Sequence, residues 1–300
     1  MRPLKAVKNT LIYWALLLCL AAIRLVPLTL VRAAFRALGS LASRLPIREN
    51  RIARANLSAC FPDRDDAARA AIYRACWWSI GACAGEAAKI SVSRVDLSAL
   101  CAWAPGAKET LDAAMAEGMG LIYITGHVGN WELMAQFVAG QGYPAYTVAK
   151  ESYDPRLTEL VRRFRESRNV RCLWRGEEHI KEKILGVLVG GGLLGFLIDQ
   201  DTRVPGVFAD FFGRKAHTPS TPAKIAARAG LPVVAGFIHR LPGDRHVVSV
   251  RRLDTAVPPG ADPVVHLTTI FNAAIEAEVR AHPDEWVWMH ARWKTRPPAA

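Results

Sequence analysis

The chain has 300 residues, of which 51% are hydrophobic and 22% are charged. This composition excludes a disordered or low-complexity protein and allows a sizeable core, in one large domain or two small ones. Lys and Arg number 39 against 27 Asp and Glu, and the formal charge of +12 favours acidic partners such as phosphate groups, anionic lipid or an acidic protein. The six cysteines lie far apart without a C-x-x-C pair, which indicates reduced thiols.

A long apolar segment near the N-terminus, LIYWALLLCLAAIRLVPLTLV at residues 11–31, has Arg24 as its one charge. About 20 apolar residues cross a bilayer core, so we expect a membrane helix here. Two arrangements are open: the helix spans the bilayer, or it lies in the interface with Arg24, Arg32 and Arg36 toward anionic lipid. A cleaved signal peptide is disfavoured, because the run is too long and has no small-residue cleavage site after it.

Basic residues flank this segment on both sides. Three precede it and six follow before position 55, namely Arg2, Lys5, Lys8, Arg32, Arg36, Arg44, Arg48, Arg51 and Arg54. The positive-inside rule then puts the large C-terminal part in the cytoplasm. Later apolar runs are too short for a second span, so we expect an anchor with its basic flank at 1–40 and a globular domain at 41–300.

Helical periodicity alternates with short β-rich runs in the rest of the chain. The pattern predicts helices over residues 63–89, 111–117, 131–138, 155–168, 178–189, 222–229 and 263–281. Strands are predicted over residues 120–127, 144–148, 193–198, 232–239 and 246–252. This alternation is typical of an α/β fold with a mixed, largely parallel sheet flanked by helices.

The end of the 120–127 strand carries a histidine and a glutamate, His127 and Glu132, five positions apart. Chemistry gathers at strand ends in such sheets, and the chain must turn between the two for them to meet. If Asn130 caps the next helix, Glu132 falls in its first turn and His127 lies on the loop within its reach. A carboxylate on one imidazole nitrogen leaves the other as a base, although a structural His–Glu pair fits the same pattern. No G-x-S-x-G or local cysteine supplies a nucleophile, which favours direct activation of a substrate hydroxyl.

Four sequence blocks resemble the late acyltransferases of lipid A biosynthesis, a branch of the His-x4-Asp/Glu glycerolipid acyltransferases. GHVGNWE resembles the signature itself, and RENRIARANLSACFPD is similar to the segment after the family's membrane helix. LIDQDTRVPGVFADFFGRKAHT is like the family's Asp-Gln-Asp block, and VWMHARWKTRP is like its closing block. The blocks follow the family's order over most of the chain.

The resemblance implies an O-acyltransferase that moves a fatty acyl chain from acyl carrier protein to a hydroxyl of a lipid A precursor. The acceptor is an anionic glycolipid at the cytoplasmic face of the bacterial inner membrane. His127 becomes the general base and Glu132 its orienting partner. Two alternatives for the acceptor remain open: another glycolipid, such as a mannosylated phosphoinositide, or a lysophospholipid. Coenzyme A remains open as the alternative donor. A catalytically silent lipid-binding homologue is the alternative outside enzymology.

Further site residues follow from the resemblance and from position. Arg168 and Asp199 match the family's downstream Arg and Asp and are expected to bind substrate, with a plain salt-bridge role as the alternative. Lys150 lies at a strand end and is expected either to bind a phosphate of the substrate or to be a solvated loop charge. Amides near Gly129 and Asn130, or a basic side chain, would stabilise the oxyanion. Phe211, Phe212 and Gly213 are expected to be packing residues with a turn, or to line an acyl groove.

The sequence implies no cofactor, metal ion or nucleic acid partner. GGGLLG at residues 190–195 follows a predicted helix and precedes a strand, the reverse of the dinucleotide-binding order. The remaining histidines lack H-E-x-x-H or paired ligand spacing. No recognition motif for nucleic acid accompanies the basic residues.

Overall fold

The computed structural model describes residues 3–298 and begins with five helices before its first strand. They are α1 (Pro3–Leu25), α2 (Leu28–Ala42), α3 (Arg48–Cys60), α4 (Asp66–Val92) and α5 (Leu97–Leu100). Pro27 separates α1 from α2. A proline interrupts a helix because its ring fixes φ and its nitrogen has no N–H to donate. The apolar segment predicted as one helix to residue 31 is therefore two helices. Arg2, expected in the basic flank, lies outside the described residues.

A seven-stranded sheet forms the centre of the described chain, in the order β1-β9-β8-β2-β5-β3-β4. Its strands are β1 (Cys101–Trp103), β2 (Leu121–Thr125), β3 (Ala145–Ala149), β4 (Arg171–Trp174), β5 (Leu193–Leu197), β8 (Val233–Arg240) and β9 (His246–Arg252). Neighbouring strands are parallel except the antiparallel pair β8 and β9. This confirms the predicted α/β class with a mixed, largely parallel sheet.

Helices flank the sheet along the rest of the described chain. They are α6 (Ala107–Met115), α7 (Trp131–Gly140), α8 (Pro155–Glu166), α9 (Ile180–Val189), α10 (Thr221–Ala229) and α11 (Pro263–Ala281). Strand β2, sequence LIYIT, lies between β5 and β8 and is buried at all five positions. A strand covered on both faces reads as a continuous apolar run, which is why the sequence predicted it clearly.

Strands β6 (Gly206–Phe211) and β7 (Arg214–Pro219) form a separate hairpin that the sequence pattern did not predict. Phe212 and Gly213 both have positive φ values, 53° and 67°, as the short turn between these strands requires. Phe211 and Phe212 are buried against Trp286 and Trp288 respectively. Phe211, Phe212 and Gly213 are thus packing residues with a turn, which was the first of the two roles expected for them.

Helix α2 packs closely on α4 instead of extending the membrane segment. A Cβ at Gly39 would lie 2.2 Å from the carbonyl oxygen of Trp77, and one at Gly81 would lie 2.3 Å from that of Phe35. Only glycine permits this approach of the two backbones. The predicted boundary at residue 40 consequently falls inside a helix that belongs to the same packed body as α4.

Arg32 and Arg36 face this body, so the interfacial alternative in which they face anionic lipid does not hold for these two residues. Arg32 is 4% exposed, and its Nε lies 2.7 Å from Oε1 of Glu86 on α4. Arg36 donates to Asp244, which lies between β8 and β9. Since α2 begins anew after Pro27, its arginines turn inward and several of its leucines turn outward.

Helix α1 is the one helix of the described chain that is long and apolar enough to cross a membrane. Its segment Val7–Leu25 has a mean hydropathy of 1.4 and is only 11% buried. Arg156 on α8 donates to the Thr10 hydroxyl at 3.3 Å. Lys89 on α4 donates to the carbonyls of Ile23 and Arg24 at 3.1 and 2.9 Å. Both halves of α1 therefore contact the α/β body, while most of its surface stays exposed.

Candidate active site

The loop after β2 carries His127 and is pressed against the ends of the neighbouring strands. A Cβ at Gly126 would lie 3.0 Å from Oδ2 of Asp199, which follows β5. At Gly129, where φ is 58°, a Cβ would lie 2.0 Å from the carbonyl oxygen of Ile238 on β8. The two glycines allow the loop to lie this close to both strands.

The imidazole of His127 is held by Asp199. Nδ1 of His127 lies 2.8 Å from Oδ1 of Asp199, and the backbone N–H of His127 donates to Oδ2 at 2.7 Å. Trp286 donates its indole N–H to the same Oδ2 at 2.8 Å. Strands β2 and β5 are parallel neighbours with Thr125 opposite Leu197, which brings residues 127 and 199 together. Asp199 was expected to bind substrate, but it is 1% exposed and does not face the solvent. Its carboxylate instead orients the imidazole of His127.

Glu132, expected to be the orienting partner of His127, instead pairs with Arg165 on α8. Nε of Arg165 lies 3.0 Å from Oε2 of Glu132, and its Nη2 contacts Oε1. The indole of Trp131 packs edge-on against the His127 ring, with centroids 4.9 Å apart. Successive helix residues point about 100° apart, so Glu132 turns away from the imidazole that Trp131 contacts.

Asp199 and Arg165 are each held in the charged form by their surroundings. Burial raises the pKa of Asp199, but the His127 charge and the hydrogen bonds from His127 and Trp286 outweigh it and hold the pKa at about 2. Burial lowers the pKa of Arg165, yet the Glu132 carboxylate raises it overall. Asp199 therefore remains a carboxylate across the physiological range.

A cavity of about 360 Å³ opens beside His127. Its polar lining comes from the strand ends and α8, and includes Thr147, Lys150, Ser152, Thr158, Arg165, Arg175, Gln200 and Thr202. The His127 side chain is 21% exposed, and its Nε2 has no hydrogen-bond partner among the described residues. Nε2 is thus the nitrogen available to a molecule in this cavity.

Lys150 and Arg175 provide positive charge at the cavity. Lys150 lines it, as the sequence analysis expected. Arg175 follows β4, a strand of four residues that periodicity did not reveal, and was therefore missed. Burial lowers the pKa of Arg175, and no described residue forms a side-chain hydrogen bond with it. Arg175 is a half-buried cation whose charge remains available to a ligand.

Asn130 and Arg168, both predicted to bind substrate, have structural partners and do not line the cavity. Asn130 caps α7 by accepting from the Leu133 N–H at 3.1 Å and donates to Glu86 at 2.7 Å. Arg168 donates to the carbonyls of Ser93 and Val95 at 3.0 and 3.1 Å.

The Gly129 N–H, one of the two expected oxyanion donors, is engaged elsewhere, because it donates to the carbonyl of Glu285 at 2.9 Å. The Asn130 N–H and the basic side chains of the cavity remain as candidates for an oxyanion donor.

An apolar slot adjoins the cavity between α7 and strands β2, β3 and β5. The two spaces share Trp131, Thr147 and Leu197. The slot has a volume of about 50 Å³ and is lined further in by side chains such as Met134 and Val138. A polar space at His127 therefore continues into an apolar one.

Outside this cavity, His239, Glu278 and His282 bring three metal-ligand side chains together. The imidazoles of His239 and His282 are stacked, with centroids 3.6 Å apart and planes 19° apart. A metal ion binds in the plane of each imidazole ligand, and one ion cannot lie in two stacked planes. As placed, the cluster is not a metal centre.

Comparison with known proteins identifies the family. Residues 3–295 match the family described as bacterial lipid A biosynthesis acyltransferase. A phosphatidylinositol mannoside acyltransferase of Mycobacterium tuberculosis is 26% identical over 196 residues, covering 63% of this chain and 59% of that protein. The protein of the same name from Mycolicibacterium smegmatis is 27% identical over 190 residues, covering 60% and 59%. The chain thus spans less than two thirds of the length of these relatives.

The match extends over nearly the whole described chain, including the loop of His127, the position of Asp199 and the segment of Trp286. It confirms the resemblance that the four sequence blocks indicated. This chain belongs to the bacterial lipid A biosynthesis acyltransferase family.

Proposed function

We propose that the protein transfers a fatty acyl chain from a thioester donor to a hydroxyl of a glycolipid. The observation that carries the proposal is the pairing of His127 with Asp199, which leaves Nε2 facing the 360 Å³ cavity. Membership of an acyltransferase family supports the reaction class. The pairing also argues against a silent lipid-binding homologue, which has no need of an oriented base.

In the proposed mechanism, Nε2 of His127 accepts the proton of the acceptor hydroxyl while the hydroxyl oxygen attacks the thioester carbonyl. Asp199, ionised and buried, stabilises the imidazolium that forms. The tetrahedral intermediate then collapses, the carbon–sulfur bond breaks, and the thiolate takes the proton from Nε2. The products are an ester and a free thiol, so protons balance without a cofactor.

The charges that form or arrive in this reaction are negative. Lys150 and Arg175 line the cavity, and Arg175 has no side-chain partner within the described chain. We assign them to the oxyanion and to the phosphate of an anionic acceptor. The Glu132–Arg165 pair acts by position: it fixes α8, which forms a wall of the cavity, against the start of α7.

The donor chain enters the apolar slot in this account. At about 50 Å³ the slot is narrow, so a chain must displace side chains of its lining. Met134 is suited to this, because an unbranched thioether changes rotamer easily. Each buried methylene contributes about 0.8 kcal/mol, which favours a long chain over a short one.

For the acceptor we propose a lipid A precursor, and for the donor acyl carrier protein, as the family's description and the formal charge of +12 favour. A mannosylated phosphoinositide is the second candidate acceptor, because both relatives are named phosphatidylinositol mannoside acyltransferase.

We also propose that the protein is held at the cytoplasmic face of the bacterial inner membrane through α1. Thr10 on α1 contacts Arg156 on α8, and Thr158 on the same helix lines the cavity. Spanning and interfacial positions of α1 both keep the cavity close to the headgroups, where an acceptor hydroxyl lies.

The test is a radiolabelled acyl-transfer assay with the full-length protein in detergent. Carrier-protein and coenzyme A thioesters are offered with each candidate acceptor, to wild type and to His127→Ala. We expect transfer from the carrier thioester to lipid A precursor, with a KM that rises steeply with salt, and none with His127→Ala. Equal salt dependence for both donors would remove the carrier assignment. Transfer by His127→Ala at the wild-type rate would remove the proposed chemistry.

A further inference from the structure

Four arginines surround a second cavity, at the junction of α2 and α3. Arg44, Arg51, Arg54 and Arg74 line this space of about 340 Å³, which we call the arginine cavity. All four are exposed, and none has an acidic side chain within salt-bridge distance among the described residues. Glu49, an acid on α3, is not part of the lining. The cavity is thus an uncompensated cluster of positive charge.

The wall of the arginine cavity is fixed by buried hydrogen bonds. Asn50, 4% exposed, donates to the carbonyls of Ala42 and Leu45, each at 2.8 Å, and accepts from the Trp77 indole N–H at 2.8 Å. The Tyr73 hydroxyl donates to the Ser43 carbonyl at 2.7 Å. These bonds hold the turn between α2 and α3 in place, so the site is formed before a ligand arrives.

The Tyr73 ring also orders one of the cations. The guanidinium of Arg54 lies over the ring, 4.1 Å from its centroid. Guanidinium groups bind phosphate oxygens through pairs of parallel N–H donors. An ordered guanidinium beside three exposed ones suits a phosphate group.

Exposed leucines adjoin these arginines. Leu38, Leu41 and Leu45 are 57%, 55% and 46% exposed, and Leu45 itself lines the cavity. Leu38 and Leu41 are three positions apart on α2 and share a face, with Leu45 just beyond the helix. Apolar side chains beside a basic cluster are typical of an element that lies in a bilayer interface.

We propose that the arginine cavity binds the phosphate headgroup of an anionic phospholipid while Leu38, Leu41 and Leu45 enter the acyl boundary. This contact is separate from α1 and from the cavity at His127. It deepens the membrane part of the proposed function and is independent of acyl transfer. An acidic carrier protein would match the charge, but not the exposed leucines.

Vesicle sedimentation with the full-length protein tests the proposal. Vesicles of phosphatidylcholine alone are compared with vesicles that contain phosphatidylglycerol. Arg51→Gln/Arg74→Gln removes two charges of the cavity, and Lys224→Gln/Arg228→Gln removes two exposed charges of α10 as a matched control. We expect the cavity variant to lose about tenfold in partition to anionic vesicles, with little change for the control. Neither variant should change on neutral vesicles.

A second variant, Leu41→Ser/Leu45→Ser, should lose partition on both kinds of vesicle, because it removes apolar contact. Thermal unfolding checks that each variant folds, and turnover in detergent should stay at the wild-type level, which separates this proposal from the proposed reaction. Equal losses for the cavity and control variants on anionic vesicles would overturn the proposal. Unchanged lipid binding with a raised KM for carrier thioester would overturn it in favour of a protein partner.

Discussion

Nδ1 of His127 lies 2.8 Å from Oδ1 of Asp199, although 72 positions separate the two residues in the sequence. The parallel pairing of β2 with β5 creates this contact, because both residues follow the ends of those strands. Trp286, near the C-terminus, binds the other oxygen of the carboxylate. The candidate base is therefore oriented by two distant parts of the chain.

The first prediction concerns acid stability. The pKa of Asp199 is lowered from 3.8 to about 2 in the folded protein. A lowered pKa contributes stability that is present above pH 4 and is lost as the pH falls toward 2, here about 2 kcal/mol. Thermal unfolding in detergent at pH 6, 4 and 3 should show this loss. Asp199→Asn should be less stable at pH 6 and show a shallower acid dependence, whereas parallel curves would argue against an ionised, paired Asp199.

The second prediction concerns Glu132 and Arg165. Glu132→Gln keeps the shape of the side chain but removes the charge that holds Arg165, so we expect turnover to fall by about 10- to 100-fold, less than for His127→Ala. The pH profile of kcat/KM should keep its form, because the proton-transfer pair is unchanged. A loss equal to that of His127→Ala, with an altered pH profile, would instead place Glu132 in the proton transfer.

The third prediction separates two roles of Asn130. Asn130→Ser keeps a helix cap, because a serine hydroxyl accepts from N–H groups at N2 or N3, but it cannot reach Glu86. We expect a loss of about 1–3 kcal/mol in unfolding free energy, since Glu86 is fully buried and loses a donor. Asp262→Ser, a change at the exposed N-cap of α11, is the control and should cost under about 1 kcal/mol. Equal losses in thermal unfolding would mean that the bond to Glu86 contributes nothing.

Local patterns predicted five of the seven strands of the sheet, but not β1 or β4, together with most of the helices and the positions of His127 and Lys150. Buried runs such as LIYIT have one structural interpretation, and Asn130 caps α7 as its residue type favours. The partner of His127 was not predictable from the spacing of His127 and Glu132, because it depends on which strands are neighbours. The Asp-Gln-Asp sequence after a predicted strand was the available signal for Asp199.

The remaining differences between the prediction and the structure have two causes: an element that is too short for a period, and a property that is averaged over a long run. Strand β4 has four residues, too few for a period, so Arg175 after it had no predicted position. Pro27 breaks an apolar run whose mean hydropathy gives no sign of the break. The orientation of Arg32 follows from that break, since its partner Glu86 lies on a helix 54 positions away in the sequence.

The fourth prediction concerns α1. Deletion of residues 1–25 removes α1 and its contacts with Lys89 and Arg156. The shortened protein should act on detergent-dispersed acceptor but be much slower on acceptor in vesicles, because tethering replaces a search in three dimensions. At high salt its remaining affinity for anionic vesicles should fall to the level seen on neutral vesicles, because salt screens the charges of the arginine cavity. Equal rates on vesicles for both proteins would show that α1 does not position the site.

The most direct test of the account is a double-mutant cycle on His127 and Asp199, read as kcat/KM for acyl transfer. His127→Ala and Asp199→Ala should each lower kcat/KM by several orders of magnitude, because they remove parts of one proton-transfer unit. Circular dichroism and vesicle binding serve as controls for folding. We expect the double variant to be barely slower than His127→Ala alone. If the two losses in activation free energy add, Asp199 does not act through His127.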